Sequence, residues 1–348
     1  MDCGQFRHRA DGRPVVGLIV CLLLALAGPA VAQPLSTEFA KDGARFRAAF
    51  RPIVDDAHQS VVRIFHDDEA VALGMIVSED GLILTKASEI QGTTTVKLPD
   101  QSEVAAALVG VDRDADLALL QVASKGLTPI EWSDEPLAVG SWLASVGPGS
   151  LPVGVGIVGV SQRNVPAQRG MLGIELGVEK SGQRPMVVGV FPESGAEAAG
   201  LRQGDIIVSI AGKAVPNRQS LLDRLSDFRP GDSLGIEILR GEETKQVRAT
   251  LGSVETTLFS RQSRQNTMAG PLSTRSGGFH NVVQHDTYLN PTQCGGPVVD
   301  LDGHVVGINI ARAGRVETYA LPTKTVLPIL NRLRDQQRET AQVSRADR

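Results

Sequence analysis

Residues 290–309 read Asn-Pro-Thr-Gln-Cys-Gly-Gly-Pro-Val-Val-Asp-Leu-Asp-Gly-His-Val-Val-Gly-Ile-Asn, and they constrain the fold more than any other stretch. Gly295 and Gly296 form a tight loop that presents one thiol, Cys294. Two apolar runs then flank Asp302-Gly303, a dipeptide suited to the positive-φ turn of a β-hairpin. A nucleophilic atom held on a glycine turn between strands is the arrangement to be explained.

The same pattern recurs upstream. Residues 61–65 lead into 72–77, and Asp80-Gly81 turns that strand back into 82–85. Further strands are legible at 95–98, 104–109 and 117–122. Short strands with turn signals and no helical period predict a closed barrel. Residues 126–136 read as a linker, after which 139–146 and 156–161 open a second barrel. Together with 290–309, this resembles the HtrA (Do-like) serine endopeptidases. Thr292, Gln293 and Cys294 stand where that family's nucleophile loop has Gly, Asn and Ser, and Gly295-Gly296-Pro297 is kept.

A second resemblance covers residues 169–252. Gly170-Met171-Leu172-Gly173-Ile174-Glu175, followed by Ala199-Gly200-Leu201-Arg202-Gln203-Gly204-Asp205-Ile206-Ile207, resembles a PDZ domain. The resemblance implies that Met171, Leu172, Gly173 and Ile174 form a carboxylate-binding loop. Leu221, Leu222, Leu225 and Phe228 recur at helical spacing. Leu221, Leu222 and Leu225 are candidates for the side-chain pocket, with packing of the domain's own core as the competing role.

The expected fold is mainly β, a chymotrypsin/trypsin-like double β-barrel interrupted by an inserted α+β PDZ domain. The expected order is a signal peptide over 1–32, an N-terminal segment over 33–58, a first barrel over 59–125, and the start of a second over 137–165. The PDZ domain follows over 169–252, then the rest of the second barrel with a C-terminal helix over 277–333. A disordered polar tail is expected over 334–348. Phe39, Phe46 and Phe50 punctuate the N-terminal segment; the family resemblance implies a trimer contact there, and capping of the barrel's own core is the alternative.

The catalytic positions are altered. A trypsin-like protease needs His, Asp and Ser, because the imidazole takes the nucleophile's proton while the carboxylate holds its tautomer. By resemblance Ser88 occupies the His position, Asp116 the Asp position and Cys294 the Ser position. Asp116 is expected to accept hydrogen bonds from Ser88 or from backbone N–H groups. His280, His285 and His304 are the candidates for a relocated base. The oxyanion-hole donors fall on Thr292 and Cys294, and a β-branched threonine resists the positive φ open to glycine. Losing the His alone costs roughly 10⁶ in kcat, about 8 kcal/mol.

Arg7, Arg9 and Arg13 precede an apolar run over 15–27, and Ala30-Val31-Ala32 offers a cleavage site, so export to the periplasm or cell envelope is expected. An uncleaved anchor is the alternative. Cys3 and Cys21 lie in that segment, so the mature chain keeps only Cys294 and forms no internal disulfide. A net charge of −4 without a Lys/Arg block speaks against nucleic acid.

The favoured reading is a cell-envelope pseudoprotease that binds peptides or the C-termini of unfolded proteins through its PDZ domain. No cofactor or metal is called for, and an active HtrA-type protease or further copies of the chain are candidate partners. The barrel cleft is a second place where an extended peptide could add as a strand. The alternative is an endopeptidase using Cys294 as nucleophile.

Overall fold

The computed structural model describes residues 40–41, 43–90, 92–179, 182–253 and 270–346. The leader, Phe39 and the return segment after the PDZ domain as far as residue 269 lie outside them.

Six strands close the first barrel: β1 (Val61–His66), β2 (Glu69–Ile76), β3 (Leu82–Lys86), β4 (Thr94–Lys97), β5 (Glu103–Asp112) and β6 (Leu117–Val122). They are joined in the order β1-β2-β3-β6-β5-β4. Alternating burial supplies its interior, where Val62, Ile64, Ile76, Ile83, Val96 and Leu120 are fully or almost fully buried. Outward-facing apolar residues, among them Leu73, Leu84, Leu117 and Leu119, join a larger cluster shared with the second barrel. That shared core holds the barrels against each other and so fixes the cleft between them.

The second barrel draws on both sides of the PDZ domain. Before it come β7 (Trp142–Ser145) and β8 (Gly154–Val165). The PDZ sheet contains β9 (Ile174–Val178), β10 (Pro185–Val190), β11 (Ile206–Ile210), β12 (Lys213–Ala214), β13 (Ser233–Arg240) and β14 (Glu243–Thr250). After it come β15 (Phe279–His285), β16 (Pro297–Val299), β17 (Val305–Gly314) and β18 (Glu317–Pro322). The barrel closes as β15-β18-β17-β16-β7-β8. Where the chain leaves for the PDZ domain and where it returns, Gly278 N–H donates to the Val165 carbonyl at 3.1 Å, and Phe279 pairs with Val165.

Short helices α1 (Ala44–Ala48) and α2 (Arg51–Val54) precede the first barrel. Phe46 and Phe50 stack on each other and on Trp142 of β7, with centroids 5.3–6.3 Å apart. Within one chain these rings cover the second barrel. In the PDZ domain, α3 (Gly195–Ala198) and α4 (Arg218–Ser226) pack on the sheet, and Asn217 starts α4 through a capping box with Ser220.

The C-terminal helix corrects one expectation. Instead of a helix ending at 333 and a disordered tail over 334–348, α5 runs from Thr323 to Ala346. Polar residues beyond 333 are tied to the first barrel: the Arg334 guanidinium donates to the Val77 carbonyl, and Gln337 donates to Gln121 at 3.1 Å. Composition signalled a solvated tail, but these bonds extend the helix across the barrel wall.

Candidate functional site

Asp116 sits immediately before β6 in the left-handed region, at φ 60°, and is almost wholly buried. Ser88 N–H donates to its Oδ1 at 2.8 Å and the Ser88 hydroxyl donates to Oδ2 at 3.0 Å. The Arg275 guanidinium lies 3.7 Å away. Burial raises the carboxyl's pKa, with Lys86, Arg275 and Ser88 opposing. Ser88 thus fills the space in which a histidine would meet Asp116.

Cys294 is fully buried. Its sulfur has the Ser273 hydroxyl at 3.9 Å and lies within reach of the Arg312 backbone N–H. Burial pushes the thiol's pKa up, and the pull of Lys86 in the other direction is smaller. The group is therefore a thiol and not a thiolate near neutral pH.

None of the three candidate imidazoles serves the sulfur among the described residues. His280 and His304 are exposed, and His304 lies 3.5 Å from the Asp300 carboxylate. His285 is buried in the second barrel with Nδ1 2.7 Å from the Thr287 hydroxyl. Burial pushes its pKa down to about 4, against an opposing contribution from the Asn309 side chain.

Sequence reasoning missed Lys86. A lysine closing an apolar strand reads as a solvated end, yet its ammonium is fully buried and donates to Glu89 at 3.0 Å. Burial favours the neutral amine, but the charges of Glu89 and Asp116 outweigh it and raise the pKa. A lysine held charged in this way is no proton acceptor.

The loop before the thiol is wound into a short 3₁₀ turn over Pro291–Gln293. Cys294 N–H donates to the Pro291 carbonyl at 3.1 Å, and Gln293 N–H donates to the Asn290 carbonyl at 2.8 Å. Thr292, exposed in that turn, has no positive φ. The N–H of residue 294, one of the two expected oxyanion donors, is thus bonded inside the loop.

The PDZ groove is open. Its sheet runs β14-β13-β11-β10-β9, which leaves β9 as an edge beside α4. Met171, Leu172, Gly173, Ile174, Leu222 and Leu225 line a groove of about 500 Å³, together with Leu176 and polar residues including Gln219 and Asp223. Leu222 is 42% exposed and Leu225 9%. Leu221 is fully buried in the domain core and does not line the groove, which corrects its candidacy as a pocket residue. Periodicity placed all three leucines on one helix, but the pitch turns Leu221 to the sheet and Leu222 to solvent.

Residues 72–173 match the family described as a trypsin-like peptidase domain, and 170–251 match a PDZ domain. Along the sequence the PDZ match therefore follows the trypsin-like match instead of lying inside it, which corrects the expected nesting at the level of matched sequence. The pairing of β8 with β15 carries the second barrel across the PDZ domain.

A probable periplasmic serine endoprotease DegP-like of Halomonas elongata is 24% identical over 274 residues, covering 54% of this chain and 58% of that protein. A protein of the same description from Pseudomonas putida is 36% identical over 107 residues, covering 28% and 22%. The chain spans little more than half the length of the first of these relatives. Among solved structures, an inactive form of the M. tuberculosis protein Rv3671c covers 81% of this chain and 90% of its own at 16% identity, with a TM-score of 0.43.

Proposed function

We propose, from the premise that this is an HtrA-like chain carrying a trypsin-like peptidase domain and a PDZ domain, that it holds polypeptide C-termini in the PDZ groove and does not cut them. The observation that carries this reading is the contrast between the two sites. The peptidase position has a buried thiol whose pKa is raised, no imidazole bonded to it among the described residues, and a residue 294 N–H already bonded within its own loop. The PDZ domain has a free strand edge and an apolar groove.

An incoming C-terminal strand would add to β9 and place its last apolar side chain against Leu222 and Leu225. Met171 N–H already donates to the Gly252 carbonyl at 2.8 Å. The terminal carboxylate therefore falls to the N–H groups of Leu172 and Gly173.

Export to the periplasm agrees with the leader read in the sequence and with relatives described as periplasmic. No helix among the described residues is long and apolar enough to cross a membrane. The competing reading, a thiol-dependent endopeptidase, draws on relatives described as serine endoproteases and on the thiol retained at residue 294.

Titration of the full chain with fluorescent peptides ending in an apolar residue tests the proposal. A free carboxylate is expected to bind at least ~10-fold tighter than the matching amide, about 1.4 kcal/mol. Leu222→Asp should weaken binding by a similar factor without unfolding the domain. Equal binding of acid and amide, or an unchanged affinity in the variant, would overturn it.

A further inference from the structure

Beyond the end of β16, the β17 edge that it pairs is met by other segments, first by Gly295 and Gly296 at Asn309. β16 pairs with β17 only from Val305 to Ile308, whereas β17 continues to Gly314. At Arg312 both backbone groups on that edge are taken by a segment returning from the PDZ domain. Ser273 N–H donates to the Arg312 carbonyl at 2.9 Å, and Arg312 N–H donates to the Ser273 hydroxyl at 2.9 Å. The same hydroxyl lies 3.9 Å from the Cys294 sulfur. The Ser273–Arg312 main-chain bond, completed by the Ser273 hydroxyl in place of a second carbonyl, occupies the edge where an added polypeptide strand would lie.

Two residues further on, Arg275 fastens the segment across the gap to the first barrel. Its guanidinium donates to the Arg113 carbonyl and, at 2.8 Å, to the Asp114 carbonyl. It also bonds the Gly277 and Gly278 carbonyls of its own segment, at 3.3 and 3.2 Å, and stands 4.9 Å over the Phe279 ring. Ser273 and Arg275 are both buried, while Thr274 between them is exposed. This alternation is that of a strand with one face inward.

The PDZ domain braces the same place. Thr274 packs closely on Gly231, where an added Cβ would stand 2.6 Å from the Thr274 methyl. Arg229 donates to the Arg113 carbonyl at 2.8 Å and to the Asp114 carboxylate at 2.9 Å.

We infer that residues 270–278 form a built-in strap, an intramolecular occupant of the cleft between the barrels that takes the β17 edge over Cys294 and excludes other polypeptides from it. On this inference the barrel cleft is not the place where an extended peptide adds as a strand. The strap also makes the PDZ domain's return connection a closing element of the peptidase body. The strap does not depend on whether the PDZ groove binds peptides, so the two proposals fail separately.

The test is the rate of iodoacetamide alkylation of Cys294 in the native full chain at fixed alkaline pH, read on the peptide containing that residue so that Cys3 and Cys21 do not contribute. The parent protein is expected to react at least ~100-fold more slowly than in denaturant, because reaction awaits an opening of the strap. Ser273→Pro removes the strap's N–H and hydroxyl while leaving both barrels intact, and it should raise the native rate ~10-fold or more. Arg275→Ala should do the same by loosening the far end. A folded Ser273→Pro protein, judged by circular dichroism, that alkylates Cys294 at the parent rate would overturn the inference, even if Arg275→Ala fails to fold.

Discussion

Ser88 satisfies both oxygens of Asp116, donating its N–H to Oδ1 at 2.8 Å and its hydroxyl to Oδ2 at 3.0 Å. In a working triad that carboxylate would orient an imidazole. Here it anchors the turn that carries Ser88 and lies among Lys86 and Arg275, two largely buried cations. Asp116→Ala should therefore lower stability by about 3 kcal/mol, because it leaves buried charges and donors without their partner. Asp116→Asn, which tolerates the positive φ and keeps an acceptor, should cost less, about 1 kcal/mol. Guanidinium unfolding of both variants checks the ranking, and an alanine variant as stable as the asparagine one would contradict it.

Gly295 is required both by its backbone conformation and by packing, independently of any catalysis. Its φ is 93°, and an added Cβ would stand 2.1 Å from the Leu73 carbonyl oxygen. Leu73 N–H meanwhile receives its acceptor from the Cys294 carbonyl at 2.9 Å. Gly295→Ala should destabilise the protein by ~2 kcal/mol or more and lower the melting temperature by several degrees. A melting temperature within one degree of the parent's would count against this packing.

Protonation of His285 sets an acid-side dependence of stability. Its folded pKa is pushed down to about 4 from an ordinary 6.5, so between those values the unfolded chain binds more protons. Stability from this group is complete above about pH 6.5 and is lost as pH falls towards 4, up to about 3 kcal/mol. Asp116, with its raised pKa, acts oppositely just above its ordinary value of 3.8. The comparison must therefore be made between the parent and His285→Gln. The variant should show a flatter stability profile from pH 6.5 to 4, and parallel profiles would contradict the assignment.

An ion pair between Asp205 and the partly exposed Arg240 ties the PDZ domain together. Asp205, in the Gly-Asp step that identified the domain, receives two bonds from Arg240 at 2.7 and 2.8 Å and one from Arg202 N–H at 2.8 Å. Asp205→Ala should loosen the domain locally, because it leaves Arg240 and the Arg202 N–H without their acceptor, and should weaken peptide binding. Hydrogen exchange over β10 to β13 is the measurement, and full protection in the variant would contradict the role.

Much of this was legible because it is written locally. Asp80-Gly81 and Asp302-Gly303 mark hairpins, alternating apolar residues mark barrel strands, and the Ala199 to Ile207 core marks the PDZ domain. Ser88 and Cys294 could be read as triad positions because their flanking motifs survive. What stayed hidden is non-local. Ser273 and Arg275 lie in a polar stretch with no periodicity, and only the tertiary fold lays them on β17 and against Arg113. Lys86 looks like a strand end until Glu89 folds back to pair with it. The spacing of Arg334 and Gln337 says nothing of the carbonyl and amide waiting on the first barrel. A resemblance can name the oxyanion positions, but the hydrogen bond from Cys294 N–H to the Pro291 carbonyl is a matter of conformation.

No imidazole among the described residues is bonded to the Cys294 sulfur, and on the proposed function an unfolded protein substrate should survive contact with the chain. Purified full chain and a Cys294→Ala variant, incubated side by side with unfolded casein, should both leave the substrate intact at the level of a buffer control. Hydrolysis by the parent that disappears in Cys294→Ala would overturn the non-cleaving role and establish the thiol as a nucleophile.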